Sequence, residues 1–274
     1  MDTTATNLKE QYERNGYLLF PQVLDKDLMD EAKEHVEWLQ RKFPELRPEQ
    51  LHTDLIKDDP FWLRLVSDPR LLDIAEQFIG PNIALFASHY ICKPPYKGQP
   101  VLWHQDGVFW PLKPMEVISL WLSVDDSLPE NGCLRVISGS HHLDLLHFRK
   151  RDDVENVLEY EIEPEFVDES KAVDLVMKSG GVSIHHPNTI HGSNANLSPL
   201  RRCGLTIRYI PTSTQILQHS VEKPGRSGFM LRGNAVEGVN HYLPFPKWDA
   251  AKHMSFRGCE TDYQTLRTSD LNRL

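Results

Sequence analysis

The chain has few cysteines, four in 274 residues, and no two of Cys92, Cys133, Cys203 and Cys259 form a C-x-x-C pair. That spacing suggests neither a zinc knuckle nor a disulfide framework, and the expected location is a reducing compartment, the cytoplasm. No apolar run is long enough for a membrane span, and the polar opening from Met1 to Asn7 lacks the apolar segment of a secretory leader. The closing Asn272-Arg273-Leu274 only loosely echoes the peroxisomal Ser-Lys-Leu address. Positive charge is also in short supply, with 30 basic against 39 acidic side chains and a net charge of −9. With no long Lys/Arg run, this balance argues against nucleic acid or an anionic membrane as a partner, while a local pocket can still receive a small anion. Internal repeats and low-complexity tracts are absent as well.

What is present fits one domain over 1–274 with three stretches of different character. Residues 1–82 read as mostly helical support with a lid. Asn7 is a cap for a first helix carrying Leu8 and Tyr12 and stopped by Gly16, 17–20 is a short strand, and Asp25 opens a helix whose Leu28, Ala32, Val36 and Leu39 make one apolar stripe. The polar stretch 43–60 is expected to be a loop or lid, and Asp68-Pro69 starts a helix with Leu72, Ala75, Phe78 and Ile79 inside. Residues 83–212 change to short β-prone runs at 83–92, 117–124, 133–137, 173–177, 182–185 and 204–210, separated by loops. The architecture this predicts is mainly β with outer helices, an α+β protein with an antiparallel sandwich or jelly-roll core. The acidic interval 152–171 is expected to be a solvated insertion, and 213–274 a loop-rich C-terminal segment on the substrate side.

The stretch Trp103-His104-Gln105-Asp106-Gly107 is the one that carries chemistry. On an extended chain His104 and Asp106 face one way and Gln105 the other, so an imidazole nitrogen and a carboxylate oxygen can bind one cation together. A second histidine from elsewhere would complete the two-histidine, one-carboxylate set of non-haem Fe(II) oxygenases. Among thirteen histidines, His191 stands out, between a strand with its Pro187-Asn188 turn and the next strand. His185 and His186 are its rivals, more often core or loop histidines or partners of ligands, while His141 and His142 read as turn residues. Arg202 offers a planar fork suited to a carboxylate, with Arg201 and Arg208 competing for that role.

Taken together, these residues resemble the phytanoyl-CoA dioxygenase family of Fe(II)/2-oxoglutarate oxygenases. The resemblance rests on Lys93-Pro94-Pro95, on 103–107, on Leu120-Trp121-Leu122-Ser123-Val124-Asp125, on 131–141 (NGCLRVISGSH), on His191-Gly192-Ser193 with Asn196, and on Arg202. It implies a double-stranded β-helix, a jelly-roll and cupin-like core. It also implies His104, Asp106 and His191 as Fe(II) ligands and Arg202 as the anchor of 2-oxoglutarate, with Gln105, Trp121, Ser193 and His89 in contact with it. The implied reaction consumes O2 and 2-oxoglutarate, releases succinate and CO2, and hydroxylates an unactivated C–H bond of a small molecule. Related halogenases replace the carboxylate ligand by glycine or alanine, so Asp106 favours oxygen transfer.

Substrate contacts are expected from loops at the barrel mouth: the lid 52–59, Phe109-Trp110, and 229–242 with Arg232 and His241. The same chemistry also serves desaturation, epoxidation or ring formation in secondary metabolism. A cupin-like hydrolase or isomerase would keep the three ligands without needing Arg202 or Trp121, and in a non-catalytic jelly-roll binder the ligand set would be accidental.

Overall fold

In the computed structural model, which describes residues 3–52, 57–217 and 228–260, helices cover one face of a large sheet whose other face meets a second sheet. The helices are α1 (Thr3–Asn15), α2 (Lys26–Lys42), α3 (Pro60–Val66) and α4 (Pro69–Ile79). Three begin on aspartates that take an orphan N–H of the first turn: Asp25 from Leu28, Asp59 from Trp62 and Asp68 from Arg70. Proline occupies the first turn of α3 and α4, where its missing N–H costs nothing. Asn7 lies inside α1 rather than at its start, because the helix extends back to Thr3, and its amide oxygen accepts from Gln11.

The strands in chain order are β1 (Tyr17–Phe20), β2 (Leu51–His52), β3 (Ile83–Lys93), β4 (Val101–His104), β5 (Leu112–Lys113), β6 (Ile118–Ser123), β7 (Leu134–Ile137), β8 (Phe148–Lys150), β9 (Tyr160–Ile162), β10 (Ala172–Leu175), β11 (Val182–His185), β12 (His191–Ser193), β13 (Arg202–Pro211), β14 (Gln215–Ile216) and β15 (Phe229–Arg232). The major sheet runs β1-β11-β6-β13-β3-β15, with β2 also on β3, and the minor sheet runs β10-β7-β12-β4. All pairings within these sheets are antiparallel, and the two sheets face each other as in a jelly roll.

Strand alternation sorts the major sheet into two faces. Leu120, Leu122, Ile184, Leu205, Ile207 and Tyr209 pack with the inner stripes of α2, α3 and α4, including Val36, Leu39, Trp62 and Leu72. The residues between them, Ser119 and Trp121 on β6, His185 on β11, and Arg202, Gly204, Thr206 and Arg208 on β13, therefore belong to the face toward the minor sheet. There Ile91 and Trp121 meet Val101, Leu134, Val136 and Leu175 from the opposite sheet.

Several expectations need correction. The stretch 43–60 gives way at Pro60 to α3, whose cap Asp59 is buried with one oxygen 3.2 Å from His35 Nε2, so Asp59 belongs to the core and not to a lid. Residues 53–56 of that lid lie outside the described residues. The interval 152–171 is not simply solvated: β9 pairs with β8, and Ile162 is buried with Trp103, Ile137 and Ile190. Cys92 and Cys203, distant in sequence, are opposite each other in the β3–β13 register and are joined by a disulfide that their spacing does not reveal. Among the described residues, no helix is long and apolar enough to cross a membrane.

Candidate metal centre

The C-terminal end of β4 and the start of β12 meet, and His104 is the register partner of His191. Their rings lie 4.0 Å apart between centroids. Gln105 is extended (φ −118°, ψ 122°) and Asp106 opens a short 3-10 turn, which returns the Asp106 carboxylate to the side of His104. Each imidazole is held by a backbone carbonyl, with Nδ1 2.8 Å from Leu102 O in His104 and 2.8 Å from Thr189 O in His191. A carbonyl only accepts, so Nδ1 carries the proton and the Nε2 lone pair is left for the centre. Nε2 of His104 is 3.6 Å from Asp106 Oδ1, and Nε2 of His191 is 3.9 Å from Asp106 Oδ2. One donor atom from each of these three buried residues lies within 4.8 Å of the others, a spacing that suits one metal ion.

The electrostatics suit a cation as well. Burial alone would raise the Asp106 carboxyl, but Arg208 and the surrounding histidines hold it well below the usual carboxylate range. Burial, then His104 and His185, push His191 well below the ordinary histidine value, so its imidazole is neutral. A carboxylate and a neutral imidazole such as that of His191 bind metal without a proton to displace.

Two residues enter this centre with less warning from the sequence. His185, on β11 opposite Ser119, has Nε2 3.6 Å from Asp106 Oδ2, and its ring is 4.4 Å from that of His191. Both of its ring nitrogens are buried without a hydrogen-bond partner. Arg208 has Nη2 3.5 Å from Asp106 Oδ2, lies over the Trp110 ring and is 3.0 Å from His89 Nδ1. Counting in twos from Arg202 along β13 would have placed Arg208 on this face.

A second polar site lies further along the same face. Arg202 is almost fully buried, donates to Gly132 O at 2.9 Å, Ile91 O at 3.2 Å and Ser193 Oγ at 3.3 Å, and stands 4.8 Å from the centre of the Trp121 ring. Burial pushes it down to about 10. Trp121 Nε1 is buried with no partner, an uncommon state for an indole N–H. Arg201 turns the opposite way and grips Asp125 with two bonds of 2.8 and 3.0 Å. Gly204 makes room for the indole, since a Cβ there would fall inside the Trp121 ring. Gly204→Ala is therefore expected to displace Trp121, cost about 1–3 kcal/mol of stability through overpacking, and weaken ligand binding beside Arg202. Thermal unfolding and ligand titration of the variant check both effects.

The remaining expected contacts are scattered. Gln105 turns away and binds Asn188 O at 2.9 Å and the Leu146 N–H at 2.8 Å, so its amide fastens loops. His89 neighbours Thr206 and Arg208. Phe109 is partly exposed against Phe148 and Tyr160, and Trp110 packs on Phe86. Arg232 is not brought to the centre: its Nη1 is 2.7 Å from both Asp73 and Glu76, which ties β15 to α4. His241 is exposed in the C-terminal segment.

Comparison with known proteins gives a consistent set of relatives. Residues 12–204 match the family model described as phytanoyl-CoA dioxygenase (PhyH). A probable alpha-ketoglutarate-dependent hypophosphite dioxygenase from Stutzerimonas stutzeri is 33% identical over 147 residues, 53% of this chain and about half (51%) of that protein. Ectoine dioxygenase from Bordetella parapertussis is 26% identical over 236 residues, 76% of each chain. Among solved structures, the non-haem monooxygenase ThoJ in its apo form superposes with a TM-score of 0.74 at 22% identity, covering 97% of this chain and 96% of its own, a likeness of fold.

Proposed function

The chain belongs to the phytanoyl-CoA dioxygenase family, and from that premise we propose that it is an Fe(II)/2-oxoglutarate-dependent oxygenase that hydroxylates a small molecule. The observation that carries this reading is the combination, between the two sheets, of a His104, Asp106, His191 donor set and a buried arginine pocket. A metal-dependent hydrolase or isomerase needs only the first of these.

His104, Asp106 and His191 would hold the iron, and Arg202 with Ser193 would hold the distal carboxylate of 2-oxoglutarate. The unpartnered Trp121 indole N–H fits a bound oxygen acceptor, and so does His185 in its neutral form. When bound, Fe(II) with 2-oxoglutarate and O2 supplies the oxidising power, with succinate and CO2 as co-products. The protein's own part is orientation and exclusion of water. The carbonyls of Leu102 and Thr189 fix the imidazoles, Ser119 Oγ donates to Asp106 Oδ2 at 3.3 Å, and Arg208 balances the carboxylate's charge. We assign the substrate to the mouth near Phe109 and Trp110, in a single domain whose segment 1–82 supports the core.

The direct test is succinate release from 2-oxoglutarate by the purified protein, with and without Fe(II). Iron-dependent release is expected, growing when a true substrate is present. A protein that binds metal yet never consumes 2-oxoglutarate across a broad substrate panel would make it a cupin-like hydrolase, an isomerase or a binder.

A further inference from the structure

Arg202 is not the only cation in the second pocket. Lys93 is its register partner across the β3–β13 pair, so both side chains leave the same face of the major sheet. Lys93 is fully buried, an unusual place for a lysine, which rarely loses all contact with water unless paired. Its Nζ donates to Ser193 Oγ at 2.7 Å, to Ser193 O at 3.3 Å and to Asn194 O. Ser193 Oγ also receives Arg202 Nη2 at 3.3 Å, so one hydroxyl oxygen lies between two buried cations. Among the described residues, no carboxylate forms an ion pair with either cation; Glu49 influences both only from a distance, and its own contacts are with Arg47 and the Gln99 N–H.

This arrangement is costly by itself, because two like charges are taken out of water side by side. Burial and the neighbouring Arg202 both disfavour the charged form of Lys93. The polarity of the hydroxyl shows what would offset that cost. A serine oxygen has two lone pairs and one proton; here both lone pairs face cationic donors, so the proton must point elsewhere as a donor. Arg202 has spent one N–H each of Nε, Nη1 and Nη2, which leaves the second N–H of both Nη groups. The unmet capacity of the pocket is thus entirely hydrogen-bond donation backed by positive charge, with the Trp121 N–H also unspent.

We propose that Lys93 is a positioning residue for the distal carboxylate of 2-oxoglutarate, fixing and polarising the Ser193 hydroxyl so that Ser193 and Arg202 together form a carboxylate seat with two cations behind it. The inference rests on the reading of the chain as a 2-oxoglutarate enzyme and adds a specificity element to it. Lys93 makes the site selective for a keto acid with a second carboxylate over one that ends in a methyl group.

The test compares equilibrium binding of 2-oxoglutarate and of 2-oxopentanoate, which chelates metal equally but lacks the distal carboxylate, to the Mn(II)-loaded full chain. The parent should prefer 2-oxoglutarate. In Lys93→Met that preference should fall by about tenfold or more, the scale of one hydrogen bond to a charged group, while 2-oxopentanoate binding changes little. Lys93→Arg should restore part of the preference, and Lys93→Met should have almost no further effect in a Ser193→Ala background. An equal loss for both ligands, or no loss for either, in variants with cooperative thermal unfolding would overturn the role of Lys93. A parent that binds metal but neither keto acid would instead remove the 2-oxoglutarate reading itself, and the inference with it.

Discussion

His104→Ala and His191→Ala are each expected to abolish Fe(II) binding and 2-oxoglutarate turnover, while His186→Ala retains both. The first two remove one of three donors whose ligating atoms lie together between the sheets. Loss of a residue that merely orients a ligand costs about 10–100-fold in metal affinity, so loss of the ligand itself should exceed that. His186 differs in environment although it adjoins His185. Its Nδ1 accepts the Asn188 N–H at 3.1 Å, its ring lies against Tyr12 and His141, and burial pushes it down to about 4, so it stays neutral and structural. Asp106→Gly should also end hydroxylation, and it leaves the buried Arg208 without its carboxylate, a loss on the order of 3–5 kcal/mol for a broken buried pair. Metal titration monitored beside thermal unfolding separates the two consequences. A His191→Ala enzyme that turned over 2-oxoglutarate like the parent would remove it from the ligand set.

Arg202→Ala should raise the Michaelis constant for 2-oxoglutarate sharply, while Arg201→Ala changes it little. The two neighbours face opposite ways, one buried beneath Trp121 and Ser193 and the other clamped on Asp125 near the surface. Truncating one partner of a desolvated, charge-assisted pair costs about 2–5 kcal/mol, or about thirtyfold to several thousandfold in affinity. Arg202→Lys should recover only part, because an ammonium cannot reach Gly132 O, Ile91 O and Ser193 Oγ with one planar group. Arg201→Ala should instead cost stability at the Asp125 turn. Titration of 2-oxoglutarate at saturating Fe(II) ranks the variants, and the reverse order would move the anchor to Arg201.

Much of this arrangement was legible in the sequence because period-two alternation is a local property. It places His104 with Asp106 and separates Arg201 from Arg202, and β-prone runs mark five of the strands that build the site. What escaped was set by register, which no single stretch encodes. His185 joins the centre because β11 pairs with β6 at Ser119, and Lys93 meets Arg202 because β3 pairs with β13 at that step. The Cys92–Cys203 link was hidden for the same reason. Resemblance points Gln105 toward 2-oxoglutarate, whereas alternation turns its side chain to the opposite side of the strand from His104, where it binds Asn188 O and the Leu146 N–H. The charge of Arg232 suggests a substrate contact, but the pairing of β15 with β3 sets it beside Glu76 on α4 instead.

The three-residue strand β12 is threaded between β4 and β7, and its pairing with β4 sets His191 opposite His104. In kinetic terms this makes the metal centre a late product of folding. Its contacts join segments far apart along the chain, so loop-closure entropy must be overcome before they give any return. Iron is therefore expected to enter after the early collapse of this protein rather than to template it. It captures a chain whose minor sheet has already closed, and its influence falls on how long that closed state survives, through the unfolding rate, more than on how quickly it is reached.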